Sequence, residues 1–211
     1  MGIVIELQRE ALTPESDILS LLRKAYLVAR KLKLKDFEAW INKELNGYKK
    51  NDKVPRYRVY HGSVTATNPM RGQIPVVIPN DNSLSTHEAR DPIANLKNVY
   101  ETSEGNFAYI HFGDNVNAML SHYGNTPIVM KFQLQISTNL LYNTFESVRN
   151  MILDWAITLE EKGIAGENLQ FTKEEMEIAK SEPTINNINY FFGDVTDTQI
   201  QQGTESSNQE Q

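Results

Sequence analysis

The chain has 211 residues, a formal net charge of −6 and no cysteine. This length fits one domain with appendages, and a hydrophobic content of 40% is enough for a substantial core. The absence of cysteine excludes disulfide scaffolds, cysteine nucleophiles, thiolate zinc sites and iron–sulfur clusters. It also fits a reducing cytosol. No window reaches the ~18–20 apolar residues of a membrane span, and the start does not resemble a secretory signal. We therefore expect a cytoplasmic protein without a membrane partner.

The first quarter of the sequence has the periodicity of helices. Residues 3–12 are predicted as a short helix, with a strand as the alternative. Thr13 and Pro14 are typical of a helix start. Apolar residues then recur at steps of three and four over 18–32, which indicates one buried helical face. A further helix is predicted to end at Gly47. These elements predict an N-terminal helical hairpin.

The apolar period changes to two after this hairpin. Residues 56–67 alternate as a strand does, and Gly62 is a predicted bend or bulge within them. A weak helix is predicted over 86–100. Further strands are predicted at 74–78, 106–112 and 127–137. In the last of these, one face is predicted to hold Ile128, Met130, Phe132, Leu134 and Ile136.

The clearest predicted element is a helix over 138–162. Its apolar residues step by four and three in turn, at Leu141, Phe145, Val148, Ile152, Trp155 and Leu159. This spacing favours a core helix that packs on the sheet, and a dimer seam is the alternative. A short helix over 171–180 is predicted to be capped by Thr172. The fold class is therefore α+β, with a small mixed or antiparallel sheet backed by a long helix.

The composition changes sharply after Lys180, because no Lys or Arg follows it. We therefore divide the chain into an α+β domain at 1–180 and a polar, β-prone tail at 181–211. Apolar residues alternate within the tail, and such weakly charged segments are typical of strand-addition contacts. The tail is predicted to self-associate and to make a homo-oligomer; a polar tail that only solubilises, or a strand that returns to its own sheet, is the alternative. The candidate self-association residues are Ile188, Tyr190, Phe192, Val195 and Ile200.

Residues 23–58 form a basic region, with twelve basic against four acidic residues. Such a cluster can contact phosphates, and aromatic residues interleave with it. Lys31, Lys33 and Lys35 are the candidate nucleic-acid contacts under this alternative, in which the protein is a toxin or nuclease directed at nucleic acid. The favoured interpretation is a solvated helical face with core aromatics, so nucleic acid is not a favoured partner.

No established catalytic motif is present. The sequence lacks a P-loop, a dinucleotide-binding glycine pattern, a Gly-x-Ser-x-Gly elbow and a His-Glu-x-x-His helix. We assign no catalytic, cofactor-binding or metal-ligating residue, expect no cofactor and do not favour an enzyme. The one alternative of this kind is a hydrolytic effector with a site near His111 and Asp114, where His122 could also approach.

Three stretches carry a family resemblance: LLRKAYLVARKLKLKDFEAWINKELNGY at 21–48, VPRYRVYHGSVTATNP at 54–69 and IPVVI at 74–78. Together they resemble the AbiTii domain of bacterial abortive-infection proteins, and FTKEEMEIAK at 171–180 is similar to a segment near the end of such chains. The distinctive parts are Arg23-Lys24-Ala25, Ala29-Arg30-Lys31-Leu32, Phe37, Trp40, Glu44-Leu45-Asn46-Gly47-Tyr48 and Pro55-x-Tyr57-Arg58.

The resemblance implies antiviral defence, in which an effector stops the growth of phage or host. It implies no catalytic residues and does not identify the phage or host target. The stretch GDVTDTQIQQGT at 193–204 is similar to short tails of bacterial defence and signalling proteins, some of which self-associate as β motifs. The leading hypothesis is therefore a phage-defence component that acts through protein–protein contacts, including homotypic β-strand contacts of its tail.

Overall fold

The structure is a computed structural model, and it describes residues 2–68, 72–78, 83–124, 126 and 129–181. Within these residues the fold is α+β, as the sequence predicts. The helices are α1 (Ile3–Leu12), α2 (Ile18–Leu32), α3 (Lys35–Asn46), α4 (Ile93–Thr102), α5 (Asp114–Tyr123), α6 (Thr138–Glu161) and α7 (Lys173–Lys180).

The strands form two antiparallel sheets. One sheet pairs β1 with β4, and the other has the order β3-β2-β6-β5. The strands are β1 (Val59–His61), β2 (Ser63–Asn68), β3 (Gly72–Pro75), β4 (Thr86–Glu88), β5 (Phe107–His111) and β6 (Lys131–Ser137). The predicted strands at 74–78 and 127–137 are therefore shifted or shortened, and Ile128 lies outside the described residues.

The N-terminal helices build much of the core. Residues 3–12 are helical, so the strand alternative is wrong. The apolar face of α2 is buried, which confirms the predicted helical hairpin of α2 and α3. The predicted start of α2 is wrong, because the Asp17 carboxylate caps it by accepting from the Ser20 N–H at 3.1 Å. Thr13 instead follows the end of α1.

Gly62 lies at the bend between β1 and β2, which is why the predicted strand over 56–67 divides into parts of different sheets. A Cβ at Gly62 would lie 2.2 Å from the Gln135 carbonyl oxygen, so this close approach requires glycine. The residues before β1 form a 3-10 turn at Arg56–Arg58 rather than a strand.

Two short elements differ from the sequence prediction. Residues 86–88 form the strand β4, and the helix predicted over 86–100 begins only at Ile93, after Pro92. The helix α5 was not predicted at all. The Asn117 side chain anchors α5 to the sheet, since its Nδ2 donates to Phe112 O at 3.1 Å and its Oδ1 accepts from Phe132 N at 2.9 Å.

The six apolar residues predicted to line one face of α6 are all buried within the chain. Trp155 stacks on Phe37 of α3, with ring centroids 4.0 Å apart. This confirms α6 as a core helix, and its apolar face is already occupied by intramolecular packing. At the end of the described chain, Thr172 caps α7 in a capping box with Glu175, also as predicted.

Candidate functional site: a buried ion-pair cluster and two clefts

A buried ion pair connects α3 to the turn before β1. The carboxylate of Glu44 and the guanidinium of Arg58 are both 0% exposed. Arg58 Nη2 lies 2.5 Å from Glu44 Oε2, and Arg58 Nε donates to both carboxylate oxygens at 3.1 and 3.2 Å. This two-point geometry is the strongest form that a carboxylate–guanidinium contact takes. We call this pair and its hydrogen-bonded neighbours Tyr48, Tyr57 and Trp40 the Glu44 cluster.

Three aromatic side chains complete the hydrogen bonds of the Glu44 cluster. The hydroxyls of Tyr48 and Tyr57 donate to Glu44 Oε1 at 2.6 and 2.7 Å, and Trp40 Nε1 donates to the Tyr57 hydroxyl at 2.9 Å. Burial, reinforced by the Glu44 charge, raises the pKa of both tyrosines well above the usual value. Both hydroxyls therefore remain protonated donors at neutral pH.

Arg58 extends the cluster to the segment after β4. Its Nη1 donates to the carbonyl oxygens of Ala89 at 2.9 Å and Asp91 at 2.8 Å. Its guanidinium also lies over the Tyr48 ring, 5.1 Å from the centroid. Burial opposes the charge of Arg58, but the Glu44 carboxylate outweighs it and raises the pKa of Arg58.

The geometry of the Glu44 cluster indicates a role in holding the fold together rather than in binding or catalysis. Its carboxylate is surrounded by donors and is closed to solvent, so a substrate atom has no position from which to reach it. Arg58 belongs by position to the basic region 23–58, for which the sequence favours a solvated face, but the structure buries its side chain completely. The sequence feature that indicates this burial is the presence of aromatic residues next to both charged residues, since Tyr48 follows Glu44 by four positions and Tyr57 directly precedes Arg58.

A polar cleft of about 560 Å³ opens beside the Glu44 cluster, between the end of α3 and residues 90–92. Two of the three cations that line it already have partners. Lys43 forms an ion pair with Asp52 at 2.9 Å, and Arg90 binds Glu88 together with the carbonyl oxygens of Lys49 and Asp52. Lys49 lines the cleft as well, so its described lining holds three cations together with the carboxylates of Asp52 and Asp91.

A second cleft, of about 770 Å³, lies between α5 and the chain that follows β3, and we call it the apolar cleft. Among the described residues that line it, none carries a formal charge. Its lining includes three large apolar side chains that are open to solvent: Val77 is 89% exposed, Tyr123 81% and Met119 44%. Contiguous apolar surface of this kind is typical of a protein-binding site.

The residues of the predicted hydrolytic site lie on two elements. His111 ends β5, whereas Asp114 begins α5 and His122 lies in its last turn. Asp114 and His122 are therefore about 12 Å apart along the helix axis. In the described part of the chain, no group of three or more His, Asp or Glu side chains is placed to hold a metal ion.

The predicted nucleic-acid contacts lie around the α2–α3 connection. Lys31 donates to the Leu169 carbonyl oxygen, and Lys35 forms an ion pair with Glu38 at 3.1 Å. Lys33 is exposed and ends α2 with a left-handed backbone, φ 61°. The large aromatic side chains of this region that are buried, and so not open to a base, are Phe37, Trp40, Tyr48 and Tyr60.

The five candidate self-association residues of the tail lie outside the described residues. Among the described helices, none combines the length and the apolar content needed to cross a bilayer.

The fold and these sites define an α+β domain whose buried cluster is structural and whose exposed apolar cleft is typical of a binding surface. The AbiTii family model matches residues 2–184, so the chain belongs to the AbiTii family of abortive-infection, phage-defence domains. No curated protein and no solved structure matches it. Five of the residues that distinguish the resemblance form the Glu44 cluster: Trp40, Glu44, Tyr48, Tyr57 and Arg58.

Proposed function

We propose that this AbiTii chain acts in abortive infection by binding other protein chains, and that the apolar cleft is the surface that binds a phage or host protein. The observation that carries the proposal is the exposure of Val77, Met119 and Tyr123 around a cleft without charged lining. Water contact with this much apolar surface is unfavourable, and a partner that covers it gains the corresponding free energy.

Binding is favoured over catalysis by the described chemistry. The charged cluster with the most perturbed groups is closed to solvent, and two of the three cations of the polar cleft beside it already have partners. A nucleic-acid target has weaker support, because the aromatic side chains that would stack on bases are mostly buried. We place the proposed action in the cytoplasm, where phage replication occurs.

The test is a phage challenge of bacteria that express the chain. We expect Val77→Ser combined with Tyr123→Ser to reduce protection at least tenfold in plaque counts, with an unchanged melting temperature, since both side chains are exposed. Leu12→Ser is the matched control, because Leu12 is 68% exposed at the end of α1 and does not line the cleft. Full protection by the double variant would refute a role for the cleft.

We also propose that the tail supplies self-association. Its support is the alternation of Ile188, Tyr190 and Phe192 in a segment without charge. Removal of residues 184–211 is expected to reduce the mass measured by light scattering to that of a monomer. A full-length chain that is monomeric over a wide range of concentrations would contradict this proposal.

A further inference from the structure

The strand β5 lies at one edge of the four-stranded sheet, and among the described residues only β6 pairs with it. The ladder hydrogen bonds identify which of its backbone groups are free. Phe112 N–H donates to Phe132 O, and Thr138 N–H donates to Asn106 O. The backbone N–H and C=O groups of the even-numbered residues of β5 therefore point toward β6, because the direction of the backbone hydrogen-bonding groups alternates along an antiparallel strand. The N–H and C=O groups of Phe107, Tyr109 and His111 point away from the sheet.

Among the described residues, this edge shows none of the features that normally prevent strand addition. Protein edges are usually protected by charged side chains, proline, a bulge or a covering segment. The residues of β5, FAYIH, include no Lys, Arg, Asp, Glu or Pro, and its β6 pairing runs without a bulge. By contrast, the opposite edge strand β3 is shorter and carries Pro75. Phe107 and Tyr109 remain 45% and 40% exposed.

The chain itself contains a segment suited to this edge. Residues 188–192 read INYFF, with apolar side chains at every second position and no charge. Their alternation matches that of Phe107, Tyr109 and His111, whose side chains share one face of the sheet. Neither residues 188–192 nor β5 contains Lys, Arg, Asp or Glu, so their pairing involves no repulsion between like charges on opposite strands.

The short segment between α7 and residue 188 favours a second copy of the chain as the source of the added strand. Asn106, next to β5, contacts the start of α6, whereas α7 lies at its other end, where Glu175 accepts from the Ala165 and Gly166 N–H groups. The 24 residues of α6 are about 36 Å long. The seven Cα-to-Cα steps from Ser181 to Ile188 span at most about 25 Å when the chain is fully extended. A segment from another copy has no such limit.

We propose that the free edge of β5 accepts residues 188–192 of a second copy as an additional antiparallel strand. This inference rests on the proposed self-association of the tail and names its acceptor. With Tyr190 opposite Tyr109, Phe192 lies opposite Phe107 and Ile188 opposite His111. Two aromatic cross-strand pairs then cover the exposed rings, and about six backbone hydrogen bonds form. Each copy has one donor and one acceptor, so assemblies larger than a dimer are compatible with the contact.

Disulfide trapping tests this register, because the chain has no cysteine of its own. Full-length Tyr109→Cys and full-length Tyr190→Cys are purified separately, mixed and oxidised. Opposite residues of an antiparallel pair have Cα atoms about 5.5 Å apart, which a disulfide spans. We expect a mixed disulfide at least tenfold more abundant than that formed when Tyr123→Cys replaces Tyr109→Cys. No such excess would overturn the proposal, and so would a disulfide that forms inside single chains of the Tyr109→Cys/Tyr190→Cys double variant.

A second variant tests the edge without the tail being changed. The Tyr109 N–H points away from β6, so Tyr109→Pro removes an edge donor but no hydrogen bond to β6. We expect full-length Tyr109→Pro to be monomeric in light scattering, whereas the matched control Tyr109→Thr, which keeps the N–H, remains associated. Circular dichroism confirms that both are folded.

The outcomes separate this inference from the proposed function. If tail removal lowers the mass but Tyr109→Pro does not, the tail associates through another surface and only the assignment of β5 as the acceptor is refuted. If the full-length chain is monomeric, the proposed self-association of the tail is refuted as well. If the chain without its tail still dimerises and Tyr109→Cys then bridges two such copies, the edge pairs with another β5 and the proposed occupant is wrong.

Discussion

Replacing Arg58 with Met gives the sharpest test of the Glu44 cluster. Methionine keeps a long apolar side chain in the same volume but removes the cation. The Glu44 carboxylate, 0% exposed, then keeps its tyrosine donors but loses the opposite charge. The carbonyl oxygens of Ala89 and Asp91 lose their Arg58 donor at the same time.

The expected loss of stability is about 3–5 kcal/mol, because removing one partner of a buried ion pair leaves an uncompensated charge away from water. For a domain of this size, each 1 kcal/mol corresponds to about 2–4 °C in melting temperature. Arg58→Met should therefore lower the melting temperature by about 6–20 °C.

Thermal unfolding followed by circular dichroism measures this change. The matched control is Lys43→Met, which breaks the Lys43–Asp52 ion pair, with side chains 37% and 23% exposed. Solvent-exposed pairs of this kind contribute little to stability, so the control should shift the melting temperature by only a few degrees. Combining Glu44→Leu with Arg58→Met removes both charges and should cost less than the sum of the single changes.

Two results would refute this reasoning. The first is an Arg58→Met shift no larger than that of Lys43→Met. The second is strict additivity of Glu44→Leu and Arg58→Met, which would mean that the two side chains do not stabilise each other despite the 2.5 Å contact.

Three further predictions concern single residues. Burial opposes ionisation of Glu175, but the N–H groups that donate to its carboxylate outweigh burial and lower its pKa. The ionised carboxylate therefore stabilises the fold above the usual pKa of 4.5, and this stabilisation is lost as the pH falls below that value. In acid unfolding, the free energy of unfolding should depend less on pH in Glu175→Gln, whereas Glu174→Gln should leave the pH dependence unchanged. Gly62→Ala should cost about 1–3 kcal/mol in urea unfolding, and Gly113→Ala, with no atom within 4 Å of the new Cβ, less than 1 kcal/mol. Asn117→Ala should cost about 1–3 kcal/mol, because Phe132 N–H loses its acceptor; an unchanged midpoint would contradict this.

The sequence predicted those elements whose apolar pattern is long. The helices α2 and α6 have such patterns, and both are buried as expected. The helix α5 has few apolar residues, and its contact with the sheet depends on the side chain of Asn117, which carries no periodic signal. The strand β4 has only three residues and exists through its pairing with β1. Pairing between distant segments is not encoded in local periodicity.

The candidate sites were less predictable than the fold. The burial of Arg58 depends on Glu44, fourteen residues earlier, and on carbonyl oxygens more than thirty residues later. A local count of charges cannot detect such a partner, so the sequence favours a solvated face for the basic region that includes Arg58. The apolar cleft likewise brings together Val77 and Tyr123 from separate segments. Only a tertiary structure places these side chains beside each other.

The location of the Glu44 cluster affects how family membership relates to function. Its members are among the residues that distinguish the AbiTii resemblance, and they contact one another inside the protein. These residues therefore specify the fold, and changing them should abolish defence only through loss of stability. In the function proposed above, the choice of target and partner rests on exposed surfaces, namely the apolar cleft and the β5 edge. A variant informs about defence only if it leaves the melting temperature unchanged, which Val77→Ser, Tyr123→Ser and Tyr109→Thr are expected to do.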